Sequence, residues 1–139
     1  MALMEVQELS GPALDWAVAK CEGYIEDYYS WLHEATVKDV ADSDGYHPSV
    51  KWGQGGPIIE RELINMSPHF IAGRTEGGSD VYQQDGWKAY VTPPAFWVTP
   101  RPFTGPTPLI AAMRCYCCAT LGDEVDIPQE LQPCQQPNL

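Results

Sequence analysis

Positive charge is scarce in this sequence. Its 139 residues include 8 Lys and Arg against 19 Asp and Glu, which gives a formal net charge of −11 at pH 7. A chain with this balance repels the phosphates of nucleic acids and the anionic surfaces of membranes. We therefore expect no direct nucleic-acid partner and no membrane partner, although an acidic surface could imitate nucleic acid towards a basic protein.

Long hydrophobic runs are missing as well. No stretch approaches the roughly 18 apolar residues that a membrane-spanning helix needs, and no basic segment with an apolar centre marks a secretion signal. Cysteine is present in an odd number, five, and Cys115, Cys117 and Cys118 crowd one segment. A secreted disulfide framework would pair an even number of spaced cysteines. The sequence thus predicts a soluble protein with reduced thiols.

Recognisable catalytic and cofactor signatures are lacking too. The glycine-rich segments have neither the Gly-Lys-Ser/Thr ending of a phosphate-binding P-loop nor the spacing of a dinucleotide fingerprint. Cys115 and Cys118 would share a helix face, but a structural zinc ion wants four ligands, and the other cysteines and the 3 histidines show no paired spacing. We therefore predict no catalytic residues, no metal and no cofactor.

Aromatic side chains, proline and glycine are what the chain has in quantity. The 5 Trp, 7 Tyr and 3 Phe provide large areas for burial, whereas the 13 Pro and 12 Gly interrupt regular structure. A length of 139 residues suits one domain with a single core. We predict one compact domain over residues 1–128 and a flexible Pro- and Gln-rich tail over residues 129–139.

Two helices have clear starts and ends. The first is predicted to begin after Ser10 as N-cap, to carry Pro12 in its first turn and to end at Gly23. The last is predicted to begin after Thr107 and to end at Gly122. Nearly its whole circumference is uncharged, which indicates burial on more than one side.

The remaining segments are harder to assign. Residues 24–40 suit either a short helix or a strand, and the run from Ile58 to Ile64 suits a strand edge or a single helical turn. Residues 41–57 have the Gly, Pro, Asp and Ser content of a loop, and residues 66–86 are again predicted to be irregular.

Extended structure is predicted in three places. Residues 87–92 form the best strand candidate, residues 95–100 are a possible partner strand, and Glu124 to Ile127 is extended. The fold class that follows is α+β, with two main helices packed on a small antiparallel sheet of two or three strands and with long irregular loops.

Two isolated charges in apolar helices need partners. Arg114 is the one full charge of the last helix, and Asp15 is the one among residues 12–19. Burying either ion alone would be costly, so we expect the helices to pack through their alanines and Asp15 to pair with Arg114. Such a pair usually has a structural role and holds two packed elements of a core in place. The functional alternative is that Arg114 keeps donors for a phosphate or carboxylate in a cleft.

The segment WGQGGP, residues 52–57, is the second candidate. Trp52 could stack on a base, and glycines would let the backbone approach a ligand closely; the alternative is a tight turn around a core tryptophan. Thr107 stands at a helix start that could receive an anion, although capping alone would explain it. The predicted ligand-binding residues are Trp52, Gln54, Gly55, Gly56, Thr107, Arg114 and Asp15.

Three segments resemble one family. The strings LSGPALDWAVAKCEG, WGQGGPIIERE and GPTPLIAAMRCYCCATLGDEVDIPQEL are similar to the NinX-type phage proteins, small proteins of tailed phages and prophages. The resemblance implies an accessory phage protein made in the cytoplasm of an infected bacterium, where such products often counter host defence. The family carries no established catalytic residues, so the resemblance assigns none here.

Two functions compete on this basis. In the first, the protein sequesters a small anionic, nucleotide-like immune signal of the host in a pocket with stacking groups and directed donors. In the second, it is an acidic inhibitor that binds a host defence protein through the aromatic and acidic residues of Tyr24 to Glu34. The sequence favours the first, ranks an enzyme last, and suggests a homo-oligomer, as is common for small acidic domains with apolar helices.

Overall fold

The computed structural model describes residues 2–24, 45–92, 101–128 and 131. The described elements are, in chain order, β1 (Ala2–Glu5), a 3₁₀ turn (Val6–Glu8), α1 (Gly11–Cys21), α2 (Trp52–Glu62), β2 (Ile64–Arg74), β3 (Asp80–Val91), β4 (Phe103–Gly105), α3 (Pro108–Leu121) and β5 (Glu124–Ile127). The predictions for residues 25–40, 95–100 and most of the tail lie outside the described residues.

The predictions for the two main helices are confirmed. Ser10 is the extended N-cap residue of α1, and Pro12 lies in the first turn. The Thr107 side chain caps α3 by accepting a hydrogen bond from the Ile110 N–H at 3.2 Å. Both helices are buried along most of their length, and they pack on each other and on the strands, as the scarcity of charge around α3 predicted.

Residues 52–57 begin a helix, so the predicted loop over residues 41–57 is wrong for this part. Glycine costs a helix about 1 kcal/mol relative to alanine and an interior proline costs more, which makes α2 a poor helix by propensity. Tertiary contacts decide the matter. The Gln54 side chain accepts from the His47 N–H at 2.5 Å and donates to the Gly45 carbonyl at 2.9 Å. The run from Ile58 to Ile64 ends α2 and begins β2.

Residues 66–86 were predicted to be irregular but form most of an antiparallel hairpin. The ladder of β2 and β3 runs from the pair Ile64 and Val91 to the pair Arg74 and Asp80. The predicted strand over residues 87–92 is confirmed as the end of β3. A bulge interrupts the ladder where Asp85 and Gly86 lie opposite His69.

Most of the residues that suggested a loop have specific places in this hairpin. Pro68 lies on the outer strand, Gly78 takes the positive φ of 82° in the turn, and Gly86 takes a φ of 77° at the bulge. A strand tolerates proline at an edge and glycine at a bulge. Gly/Pro content alone therefore misled the prediction.

The described strands form two antiparallel sheets. One has the order β2, β3, β4, and the other pairs β1 with β5. The extended structure predicted for Glu124 to Ile127 is confirmed as β5, but the sheets together have more strands than the two or three expected. The α+β fold class is confirmed. No described helix has both the length and the apolar character needed to cross a membrane.

Candidate functional site

Arg114 is half-buried in α3, where backbone carbonyls hold its side chain. Its Nε donates to the Leu9 carbonyl at 2.7 Å, and one terminal nitrogen donates to the Thr104 carbonyl at 2.6 Å. Burial lowers the pKa of this guanidinium. The expected pair with Asp15 is wrong, because each of the two charges has other partners. Through these two hydrogen bonds Arg114 links α3 to the segment before α1 and to β4.

Asp15 is 2% exposed and anchors the chain that precedes α2. One carboxylate oxygen accepts from the Ser49 N–H at 2.9 Å, and the other lies 3.1 Å from Nδ1 of His47. Burial raises the pKa of Asp15, and the hydrogen bonds from Ser49 and His47 oppose that rise. The contacts are those of a carboxylate that fixes a loop on a helix.

Gln54 and Gly55 are also committed to packing. Both ends of the Gln54 amide bind the backbone of residues 45–47. A Cβ atom on Gly55 would lie 2.4 Å from the Pro48 carbonyl oxygen and 2.7 Å from Cδ2 of Leu109. Gly55 therefore permits close contact of α2 with the preceding loop and with α3, rather than with a ligand.

The other candidates in this segment face open space. Trp52 is 53% exposed, so it is not the core tryptophan of the alternative interpretation. A Cβ on Gly56 would meet no atom within 4 Å. The structure thus brings Asp15, Gln54 and Gly55 together around residues 45–49 and places Arg114 and Thr107 elsewhere.

A polar cavity of about 410 Å³ lies beside the bulge and the chain that leads into α3. His69, Asp85 and Thr104 contribute to its lining, and none of the described residues that line it is a Lys or Arg. A carboxylate without a cation disfavours an anion there, so the cavity does not support an anion site near Thr107.

A second cavity, which we call the tyrosine cleft, lies between the end of α1 and α2. It measures about 230 Å³, and its lining includes Glu22, Tyr24, Tyr46, Gln54 and Arg61. The rings of Tyr24 and Tyr46 meet edge to face, with 5.7 Å between centroids.

Arg61 in this cleft is bound by acidic side chains. Its terminal nitrogens donate to both oxygens of Glu22 at 3.0 and 2.8 Å, and its Nε donates to Glu62 at 2.8 Å. The hydrogen bond to Glu22 is the main cause that raises the pKa of Arg61. The Tyr116 hydroxyl also donates to Glu22, at 2.7 Å. The guanidinium therefore links α1, α2 and α3, and an anionic ligand would have to displace Glu22.

The thiols of α3 are protonated at neutral pH. Burial raises the pKa of Cys115 to about 11 and raises those of Cys117 and Cys118. A thiol, unlike a thiolate, is a weak nucleophile. Among the described residues, no three His, Cys, Asp or Glu side chains are grouped closely enough to hold a metal ion.

The outer half of the hairpin is the most distinctive surface of the described chain. We define the distal arm as residues 70–84, beyond the bulge; every one of them is exposed. Its large apolar side chains are Phe70, Ile71, Val81 and Tyr82, which are 54%, 47%, 41% and 73% exposed.

Strand alternation places these side chains on both faces of the distal arm. Phe70 and Tyr82 share one face, because Tyr82 pairs with Ala72, two residues from Phe70. Ile71 and Val81 share the other, because Val81 pairs with Gly73. Both faces of a two-stranded ribbon are thus partly apolar and uncovered by the described residues.

The sequence analysis missed this surface. The signal that could have found it is the pattern FIAGR-TEGGS-DVYQQ, in which two apolar runs flank a Gly-Gly-Ser turn and opposite charges close the turn. Arg74 and Asp80 form that closing ion pair at 3.4 Å.

The molecule that these features define is a small α+β protein with a tightly bonded helical core and an exposed two-stranded arm. A family model described as "Bacteriophage P22, NinX" matches residues 5–119. The chain belongs to this family of phage proteins. No curated protein matches the chain.

Proposed function

We propose that this phage protein counters a host defence by binding a basic host protein through its distal arm, without catalysing a reaction. The observation that carries the proposal is the exposure of Phe70, Ile71, Val81 and Tyr82 on the two faces of one ribbon. A two-stranded hairpin is only marginally stable in water, and large exposed apolar patches usually mark interaction sites. A partner that covered the arm would supply the burial that the chain itself does not.

The arm has the residue types that dominate binding energy. Tyr82 and Phe70 are large aromatic anchors on one face, and such residues are enriched among those that contribute most to an interface. The polar side chain of Gln84, which pairs with Phe70 on the same face, suits a hydrated rim. This face would therefore contact an apolar depression in the partner.

Charge indicates which kind of protein would fit. The net charge of −11 favours encounter with a basic surface and slows encounter with an acidic one. On the arm itself Arg74 pairs with Asp80, which leaves Glu76 as its net negative charge, and Asp85 adds a second at the bulge beside the arm. We therefore expect an association that weakens as salt concentration rises.

The test places a photo-crosslinking amino acid at Tyr82 in the protein expressed in a defence-bearing host. The control carries it at Thr120, an exposed residue of α3. We expect an adduct with one basic protein from position 82 only, and direct binding of that purified protein to the chain. Tyr82→Ser should weaken this binding and reduce plating of the phage on that host, whereas Thr120→Ser should do neither. Equal adducts from both positions, or undiminished binding and plating with Tyr82→Ser, would overturn the proposal.

Sequestration of a nucleotide-like signal is the second candidate, and the tyrosine cleft is the observation that favours it. Two tyrosine rings and a guanidinium line one cavity, which is a combination that suits a base and a phosphate. The bond between Arg61 and Glu22 weighs against it, because a phosphate would compete with a carboxylate already in place.

A thermal-shift panel of cyclic and ADP-ribose-derived nucleotides tests this second candidate. A ligand present at a hundredfold excess over its dissociation constant should stabilise the fold by about 2.7 kcal/mol. Tyr24→Ala should remove the shift if the cleft is the site. An absence of any shift across the panel would leave the arm as the sole candidate surface.

A further inference from the structure

The two edges of the three-stranded sheet differ in how they are protected. At the β4 edge, the Gln7 side chain donates to the Thr104 carbonyl at 2.9 Å and accepts from the Thr104 N–H at 3.2 Å. This amide takes the place of a neighbouring strand. At the other edge, no described residue bonds to the outer side of β2 between Phe70 and Arg74.

The outer part of β2 also lacks the residues that normally guard an edge. Natural edge strands carry lysine, proline or a bulge that prevents pairing with another chain. Pro68 guards the base of β2, but Phe70 to Gly73 contains no charge and no proline. An open, uncharged edge of this kind is a template for a further strand.

We propose that this edge pairs with the same edge of a second copy, so that two distal arms join into one four-stranded antiparallel sheet. The register that suits the sequence has a two-fold axis at Ala72. It places Phe70 opposite Arg74 of the second copy, and Ile71 opposite Gly73 of the second copy. Ala72 then faces its own counterpart at the axis, where two small side chains allow close approach.

We call the contact between the two β2 edges the seam, and the side chains that face each other across it are chemically complementary. On one face, the Phe70 ring lies beside the guanidinium of the second copy's Arg74, which its own Asp80 holds in place at 3.4 Å. On the other face, Gly73 offers no side chain and its intramolecular neighbour is Val81. A Cβ on Gly73 would lie 3.6 Å from Cγ2 of Val81, so the space above this glycine borders that side chain. Ile71 of the second copy fills the space and packs against Val81.

The charge of the chain gives the pairing a characteristic salt dependence. Two copies that each carry −11 repel one another, and salt screens that repulsion. Self-association should therefore tighten as salt rises, whereas binding to a basic host protein should weaken. This inference stands apart from the proposed function: Phe70 and Ile71 contribute to both surfaces, but Tyr82→Ser acts on β3 and the Ala72 variants act at the axis on β2, so either proposal can fail without the other.

The test is sedimentation velocity on the full chain over a range of concentrations at low and high salt. We expect a monomer–dimer equilibrium that salt strengthens. Ala72→Lys and Ala72→Glu should each weaken it by about fivefold or more, because like charges meet at the axis. An equimolar mixture of the two variants should form a heterodimer that is tighter than either variant alone.

Ala119→Lys is the matched control. It makes the same substitution at an exposed residue of α3, outside the distal arm, and should leave the equilibrium close to that of the unsubstituted chain. Three results would each overturn the proposal: a monomer at every concentration and salt, a dimer that Ala72→Lys leaves intact, or a mixture of the Lys and Glu variants that stays as weak as its components.

Discussion

Replacing Gly55 by alanine should destabilise the fold, although alanine is the better helix former. Its Cβ would lie 2.4 Å from the Pro48 carbonyl oxygen and 2.7 Å from Cδ2 of Leu109, both far inside normal contact distance. Overpacking of this kind costs about 1–3 kcal/mol, and a backbone carbonyl cannot move away as a flexible side chain can. The gain in helix propensity offsets about 1 kcal/mol of that cost.

The same substitution at Gly56 and Gly53 provides the control within one helix. A Cβ at either position meets no atom within 4 Å, so both variants should be stabilised by about 0.4–1 kcal/mol. Since propensity acts at all three positions, the difference between Gly55→Ala and Gly56→Ala isolates the clash.

The assay is urea unfolding followed by tryptophan fluorescence, with comparison of the free energies of unfolding at a common slope. The reasoning predicts opposite signs for Gly55→Ala and Gly56→Ala, with a gap of about 1–3 kcal/mol. Equal stabilisation at both positions would refute the close packing of α2 on Pro48 and Leu109. It would also reopen the hypothesis that both glycines serve a ligand.

Three further predictions concern the polar groups of the core. Burial raises the pKa of Asp15, which means that the fold disfavours its ionised form. The free energy of unfolding of the unsubstituted chain, relative to that of Asp15→Asn, should therefore rise as pH falls from 7 towards the ordinary pKa of 3.8. Urea unfolding at several pH values measures this difference, and a fall at lower pH would contradict the prediction. Arg114→Met should cost about 1–3 kcal/mol by removing the donors to the Leu9 and Thr104 carbonyls, and unchanged stability in thermal unfolding would show that these two bonds are dispensable. Thr107→Ala should cost about 0.5–2 kcal/mol through loss of the α3 cap, with Thr107→Ser as the variant that retains stability in the same measurement.

What the sequence could predict depended on whether the signal was local. The ends of α1 and α3 were predicted correctly because Pro12, Thr107 and Gly122 act on their own helix termini. The first turn of α2 was not predicted from the sequence. Its stability comes from contacts of Gln54 and Gly55 with residues several positions away in the chain or in another helix. Helix propensity, which was the available signal, pointed the other way.

The candidate site shows the same division. The sequence correctly indicated that Asp15 and Arg114 each need a partner, since the cost of burying an ion does not depend on the fold. The sequence could not indicate which groups the partners would be, because they are backbone groups, the Ser49 N–H and the Leu9 carbonyl. Nearly every residue has such groups, so a sequence does not distinguish those that bind a side chain. The distal arm was missed for a further reason: a count of Gly and Pro does not record that a turn, a bulge and an edge can share one hairpin.

The extra residue of β3 opposite His69 sets the direction of the distal arm without deciding which side chains the arm exposes. Deleting Asp85 would let every pair from Phe70 with Gln84 to Arg74 with Asp80 persist in a continuous ladder, but would remove the local bend. A single-codon deletion could thus turn an arm with unchanged side chains to a new angle against the same body. A relative that lacked this one residue would therefore expose the same arm side chains in a different direction.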